Sequence, residues 1–396
     1  MGGDRGNVLL AGEGVTRVLC NRCDTNYSPT MIKRRVVILG GYGVFGRFVA
    51  KDLAGRPDAQ VTIAGRNAEK GEPFASSLGA DFRRCDAMDS ASLKNAVADA
   101  WLVINAAGPF AAKDYSIPRT CIEAGCHYID IADGREYVTD IVELDAAARE
   151  RNVFVCAGAS STPAITSALV ADLQPALGRI RSIKIALSPG NKNPAGVSTI
   201  ASIMSYVGVP VQVWQDGEWR SRRGWSGGEF VEFPAPVGRR RVHLCDVPDL
   251  ALFPQHFQAD DVMFKAGVEL PILNFAISAM GLLKRIVPPI NLPSLARPLV
   301  AMSKLFKPFG TFHGGCAVWV TDTVGQQKSV ALVARKNGPR IPGSPAILLA
   351  RKLLSDQILD RGAFPCIGFL NLAEFAEFLA PHEIFVSHGA NGVWAC

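Results

Sequence analysis

A chain of 396 residues is too long for one small core and suits two domains. With 48% hydrophobic and 20% charged residues it reads as an ordinary globular protein, and a net charge of +6 spread along its length excludes a nucleic-acid footprint. The two dense basic spots, WRSRRGW (219–225) and VGRRRVH (237–243), read as solvated hairpin faces, with an anion or headgroup patch as the alternative.

Ten cysteines are scattered without framework spacing, and Cys85, Cys121 and Cys156 sit inside apolar runs. That pattern fits buried, reduced thiols in a cytoplasmic protein. CNRC (20–23) has zinc-knuckle spacing but no second pair to complete a tetrahedral site, and the six histidines show no metal-ligand spacing. No metal is expected.

Residues 1–30 lack an apolar period and a signal-peptide core, and read as a flexible extension. From 31 to 165 strand and helix signals alternate. RVVILG is followed by VFGRFVAKDLAG, with helical apolar spacing at Phe45, Val49 and Leu53. AQVTIAG (59–65), ADFRRCD (80–86), WLVINAAGPF (101–110), HYIDIAD (127–133) and VFVCAGAS (153–160) read as further strands with helices between them. Short loops joining such elements predict a parallel, doubly wound sheet of Rossmann type.

From 166 to 337 the rhythm changes. RSIKIAL, VQVWQDGEWRS, GGEFVEF, CAVWVTDTV and QKSVALVARK alternate as antiparallel strands do. They predict a second, α+β domain of mostly antiparallel sheet for substrate binding or dimerisation. Residues 338–396 read as a helical segment packing back on the first domain, with Ser344 placed to cap and Pro345 in the first turn.

The chemistry begins at Gly41, Gly43 and Gly46, a GxGxxG between strand and helix with Gly40 just before it. The first glycine permits a tight turn, the second lets backbone approach a pyrophosphate, and the third lets helix pack close to strand. Gly40, Gly41, Tyr42, Gly43, Val44, Phe45 and Gly46 are therefore the expected phosphate-binding turn. An NAD site would place a carboxylate about 20 residues on, to bind the ribose hydroxyls. Here the second strand ends IAGRN, and Arg66 with Asn67 stands at that place. A guanidinium suits a 2′-phosphate, so NADP is expected over NAD, with a plain loop arginine as the alternative. Asp86 would meet the adenine edge. Ala106, Ala107, Gly108 and Pro109 end the fourth strand, where a dinucleotide crosses the sheet and small residues allow close approach.

GGYGVFG, AGRN, NAAGPF, CIEAGCHYIDIADG and GASSTPAI together resemble the saccharopine dehydrogenase-like oxidoreductases. The resemblance is strong over about 31–170 and looser in DVPDLALFP (246–254) and GPRIPGSPAILLARKLL (338–354). It implies NAD(P)-dependent amine–imine or enoyl chemistry, and some members of the family are associated with lipids or membranes. An amino-acid substrate signature of true saccharopine dehydrogenases is missing.

None of the six tyrosines has a lysine four positions on, which excludes a short-chain-dehydrogenase mechanism. Substrate is expected past the carboxyl ends of the strands, where HYIDIADGRE offers Tyr128 and Asp133 as catalytic candidates. Tyr128 and Asp130 share one face of that strand and His127 takes the other. Asp133 is placed either to enter a cleft or to cap the next turn. Ser160, Ser161 and Thr162 either bind substrate or cap a helix.

Residues 270–310 combine an apolar run too short to span a bilayer with Lys284, Arg285, Arg297, Lys304 and Lys307. Two readings stand: core or homodimer interface broken up by Pro271, Pro288, Pro289, Pro293 and Pro298, or a peripheral membrane contact. For function, an NADP-dependent oxidoreductase acting on a C=N or C=C bond of a small-molecule metabolite leads. A catalytically silent NADP-binding sensor or scaffold, and a membrane-surface reductase of lipids, are the alternatives.

Overall fold

The computed structural model describes residues 33–108, 110, 113–194, 196–287 and 290–394. The extension, CNRC, Pro109, Pro288 and Pro289 lie outside them. Residues Lys33–Cys396 form one compact unit.

The first half is built from β1 (Arg34–Leu39), β2 (Ala59–Gly65), β3 (Asp81–Arg84), β4 (Leu102–Asn105), β5 (His127–Asp130) and β6 (Phe154–Ala157). All pair in parallel, in the order β6-β5-β4-β1-β2-β3. Both faces are covered by crossover helices such as Gly46–Ala54 and Ser116–Glu123. This is why β1, β4, β5 and β6 carry near-continuous buried apolar runs rather than alternating ones. The strand order reverses between β1 and β4, where Leu39 pairs with Asn105. A crevice at the carboxyl ends of the strands opens at such a reversal.

The second sheet begins with β7 (Ile180–Ser188), β8 (Pro210–Gln215), β9 (Glu218–Arg223), β10 (Glu229–Phe233), β11 (Gly238–Leu244), β12 (Asp261–Ala266), β13 (Gly314–Asp322) and β14 (Gln327–Ala334). Pairings are antiparallel except β7 with β12, so the α/β fold with a mostly antiparallel second sheet is the one expected. In β13 alternate side chains enter different cores. Cys316, Val318 and Val320 join the main core, while Ala317 and Trp319 pack under Phe233 and Val242 of the β10–β11 hairpin. The main core runs without a break from one face of the parallel sheet through helices Thr166–Leu173 and Ser344–Leu354 to the second sheet.

The last stretch does more than pack back as helix. Its β15 (Gly362–Pro365) adds a seventh parallel strand beside β6, and β16 (Ile384–Ala390) pairs with β14 and with β17 (Val393–Trp394). Arg351 clasps Asp52 of the first crossover helix through two hydrogen bonds of 2.9 and 2.6 Å. Arg34 reaches Asp356 at 2.9 Å. Contacts separated by some 300 residues thereby close the parallel-sheet half.

Candidate active site

A cavity of about 1090 Å³ begins at the glycine turn, passes the ends of β4 and β5 and continues beneath β7, β12 and β13. The turn after β1 is tightly specified. Gly40 sits at φ +71, a backbone state that favours glycine, and a Cβ there would meet Ala106 and Ala107 at 3.1 Å. The amide of Gly43 donates to the Gly40 carbonyl at 2.8 Å, closing the turn. A Cβ on Gly46 would lie 2.4 Å from the same carbonyl, so the helix starts against β1 only because Gly46 has no side chain. Arg47 folds back over the turn and donates to the carbonyls of Gly43 at 3.1 Å and Tyr42 at 3.3 Å.

Opposite, Tyr42 lies across Gly65, and its hydroxyl accepts the Asn67 amide at 3.0 Å. Arg66, between them, is exposed at the cavity rim and has no hydrogen-bond or ion-pair partner among the described residues. Asp86 lines the same end and accepts the Met88 amide at 3.1 Å. On the far wall buried Asn105 accepts the Ala107 amide at 3.0 Å and donates to the Tyr128 hydroxyl at 3.1 Å, which fixes Ala106, Ala107 and Gly108 against the glycine turn. Tyr42, Gly43, Val44, Phe45, Arg66, Asp86 and Ala106 to Gly108 all line the cavity. Gly41 and Gly46 stand behind the wall, and Asn67 caps the helix Ala68–Ser76 through Lys70.

This crevice fits a dinucleotide. The turn is one that side chains would fill, the walls beside it are alanine and glycine, and an unpaired cation waits at the rim.

Deeper in, Asp133 lines the cavity just beyond β5. Burial raises it above the usual carboxylate range, and a hydrogen bond from Ser202 acts the other way. Around it the wall carries Tyr137 and Tyr206, whose hydroxyls burial holds protonated, and Cys245, lifted by burial to about 12. Ser160, Ser161 and Thr162 also line the cavity. Tyr128 does not reach it. It is fully buried, bonded to Asn105 and 3.1 Å from the Tyr137 hydroxyl, because its strand face looks into the core between β5 and the helices. It does share that face with Asp130. One Asp130 oxygen accepts the amides of Ala132 and Gly158, both at 2.9 Å, and burial raises the carboxyl to about 6. His127 faces the other way and accepts the Phe154 amide at 2.9 Å.

Several site residues went unmarked in the sequence: Arg47, Asn105, Tyr137, Tyr206 and Glu269. The last is a cavity-wall carboxylate held by Asn191, Thr311 and Arg240, so its role is to brace the wall. Asn105 had a local signal, a polar residue ending a buried strand. Tyr206 and Glu269 had none, since their neighbours are distant in sequence.

Residues 36–156 match the family model described as the saccharopine dehydrogenase NADP-binding domain. A probable mitochondrial saccharopine dehydrogenase-like oxidoreductase of Arabidopsis thaliana is 27% identical over 120 residues, which cover 26% of each chain. The match thus spans about a quarter of that relative's length. Among solved structures, the apo saccharopine dehydrogenase (L-Glu forming) of Saccharomyces cerevisiae superposes with a TM-score of 0.64 at 14% identity, over 90% of this chain and 99% of that one. The homospermidine synthase of Legionella pneumophila, solved in complex with NAD, gives 0.62 at 12% identity over 91% and 92%. At such identities these two likenesses concern the fold, including its second sheet. Residues 36–156 thus match the saccharopine dehydrogenase NADP-binding domain, and over the rest of the chain the likeness is one of fold.

Proposed function

We propose that the protein is an NADP-dependent oxidoreductase acting on a C=N or C=C bond of a small-molecule substrate. The observation that carries this reading is the continuity of one cavity from the glycine turn and unpaired Arg66 to Asp133 and on beneath the second sheet. When bound, the dinucleotide supplies or takes up the hydride. Arg66 holds the 2′-phosphate, Tyr42 keeps the Gly65–Asn67 turn in place for it, and Ala106 to Gly108 let the backbone approach.

Asp133 manages the proton. Its raised affinity keeps it protonated further toward neutral pH than an exposed aspartate, so it donates to the atom at the other end of the reduced bond. In the reverse direction the same carboxylate receives that proton. Tyr137 and Tyr206 stay neutral and offer hydrogen bonds to a polar substrate group.

The test is consumption of NADPH, followed by its absorbance, on adding imine-forming amine–carbonyl pairs and enoyl compounds of graded chain length. Turnover that Asp133→Asn suppresses while NADPH binding persists supports the reading. Binding without turnover on any of them returns the chain to a silent NADP-binding module.

A further inference from the structure

Helices Pro271–Ile286 and Ala296–Phe306 are apolar on two faces. Their inner faces line the far end of the cavity, at Leu273, Ile277 and Met280 on the first and Leu299, Met302 and Phe306 on the second, spaced as one side of a helix. Their outer faces carry Phe275 at 75% exposure, Ile286 at 70% and Leu305 at 73%, with Phe309 at 75% just after. The reading of 270–310 as buried core therefore fails for these outer faces. Large apolar side chains standing together on an outer face mark a contact with protein or lipid, and here they have no protein cover among the described residues.

Charge identifies the cover. Between 270 and 310 there are five lysines and arginines and no aspartate or glutamate. None of Lys284, Arg285, Arg297, Lys304 and Lys307 forms an ion pair among the described residues. Apolar side chains ringed by unpaired cations match an anionic lipid interface, whose headgroups meet the cations while the apolar groups enter the acyl boundary. Spanning is excluded by length, since 16 residues of helix reach about 24 Å and a bilayer core is about 30 Å thick. Met302 belongs to both surfaces, lining the cavity while 46% exposed, so the cavity wall reaches the outside between these helices.

We propose that this helix pair docks the protein on an anionic bilayer, and that the cavity takes an apolar, chain-like substrate from that bilayer. The second clause rests on the oxidoreductase reading of the cavity; the docking does not.

The experiment is co-sedimentation of the full chain with vesicles of phosphatidylcholine alone or mixed with phosphatidylglycerol, at low and high salt, beside cis-parinaric acid fluorescence and NADPH binding. Anionic vesicles should pellet roughly tenfold more protein than neutral ones at low salt, less at high salt. Pelleting should fall to the neutral level when the five cations become glutamine, and drop with Phe275→Ser plus Leu305→Ser. Parinarate fluorescence should rise with wild type and fall with Ile277→Trp, which narrows the cavity. Protein remaining in the supernatant throughout, with NADPH still bound, overturns the docking and leaves the oxidoreductase reading intact. A dimer that Phe275→Ser dissociates, without vesicle binding, overturns it too and assigns the face to a second copy. No parinarate response overturns the substrate class.

Discussion

The ring of Tyr42 rests on Gly65, so close that a β-carbon on Gly65 would sit 2.6 Å from the phenol. That contact joins the glycine turn after β1 to the turn carrying Arg66, and the Tyr42 hydroxyl completes it by accepting the Asn67 amide. Gly65→Ala should push the mobile phenol aside and leave the fold standing. NADPH affinity should fall about fivefold, the equivalent of one hydrogen bond of ~1 kcal/mol. Tyr42→Phe, which keeps the ring and loses only the bond, should approach the same value. Fluorescence titration checks both.

Gly43 and Gly46 should separate binding from stability. Gly46→Ala drives a β-carbon to 2.4 Å from the Gly40 carbonyl, and backbone must move. It should lower stability by roughly 1–3 kcal/mol in thermal unfolding. At Gly43 the corresponding contact is 3.0 Å and tolerable after a small shift, so Gly43→Ala should unfold near the wild-type temperature. Its loss should appear in dinucleotide binding.

Asp133→Asn should retain NADPH affinity and reduce turnover by about 10²–10⁴-fold, the usual contribution of a positioned acid or base. The wild-type reductive rate should decline as pH rises through the raised pKa of Asp133, because the protonated form is the donor. That limb should vanish in the variant. An unchanged profile would remove Asp133 from the chemistry.

Asp249 offers a stability test away from the site. Burial lifts its carboxyl from 3.8 to about 7, against a smaller opposing pull from the Thr166 hydroxyl. The folded state then binds more protons than the unfolded one between those values, so stability falls as pH rises from about 4 to 7. Asp130, raised to about 6, acts with the same sign. Asp249→Asn should flatten part of the decline and gain roughly 2–4 kcal/mol at pH 8 relative to wild type, measured by urea unfolding across pH.

The parallel sheet and its glycine turn were legible because their signals are local: an apolar run, glycines at fixed offsets and a helix after them. Tyr128 shows where local reading stops. Alternation along β5 correctly pairs Tyr128 with Asp130, but which face meets the cavity depends on helices packed from elsewhere. β15 was illegible because four residues ending in proline carry little strand signal and their partner β6 lies some 200 residues back. Residues 271–306 posed another difficulty. Both helices carry large apolar side chains toward the cavity and on the outer side, so sequence alone left core and exposed surface open.

The central claim is that an unpaired Arg66 makes this crevice an NADP site, and paired titrations with NADPH and NADH test it most directly. Wild type should bind NADPH tighter by ~1–3 kcal/mol, the scale of a charge-assisted hydrogen bond, and Arg66→Ala should erase most of that gap while leaving NADH binding unchanged. Equal binding of both dinucleotides by the wild type would contradict the account.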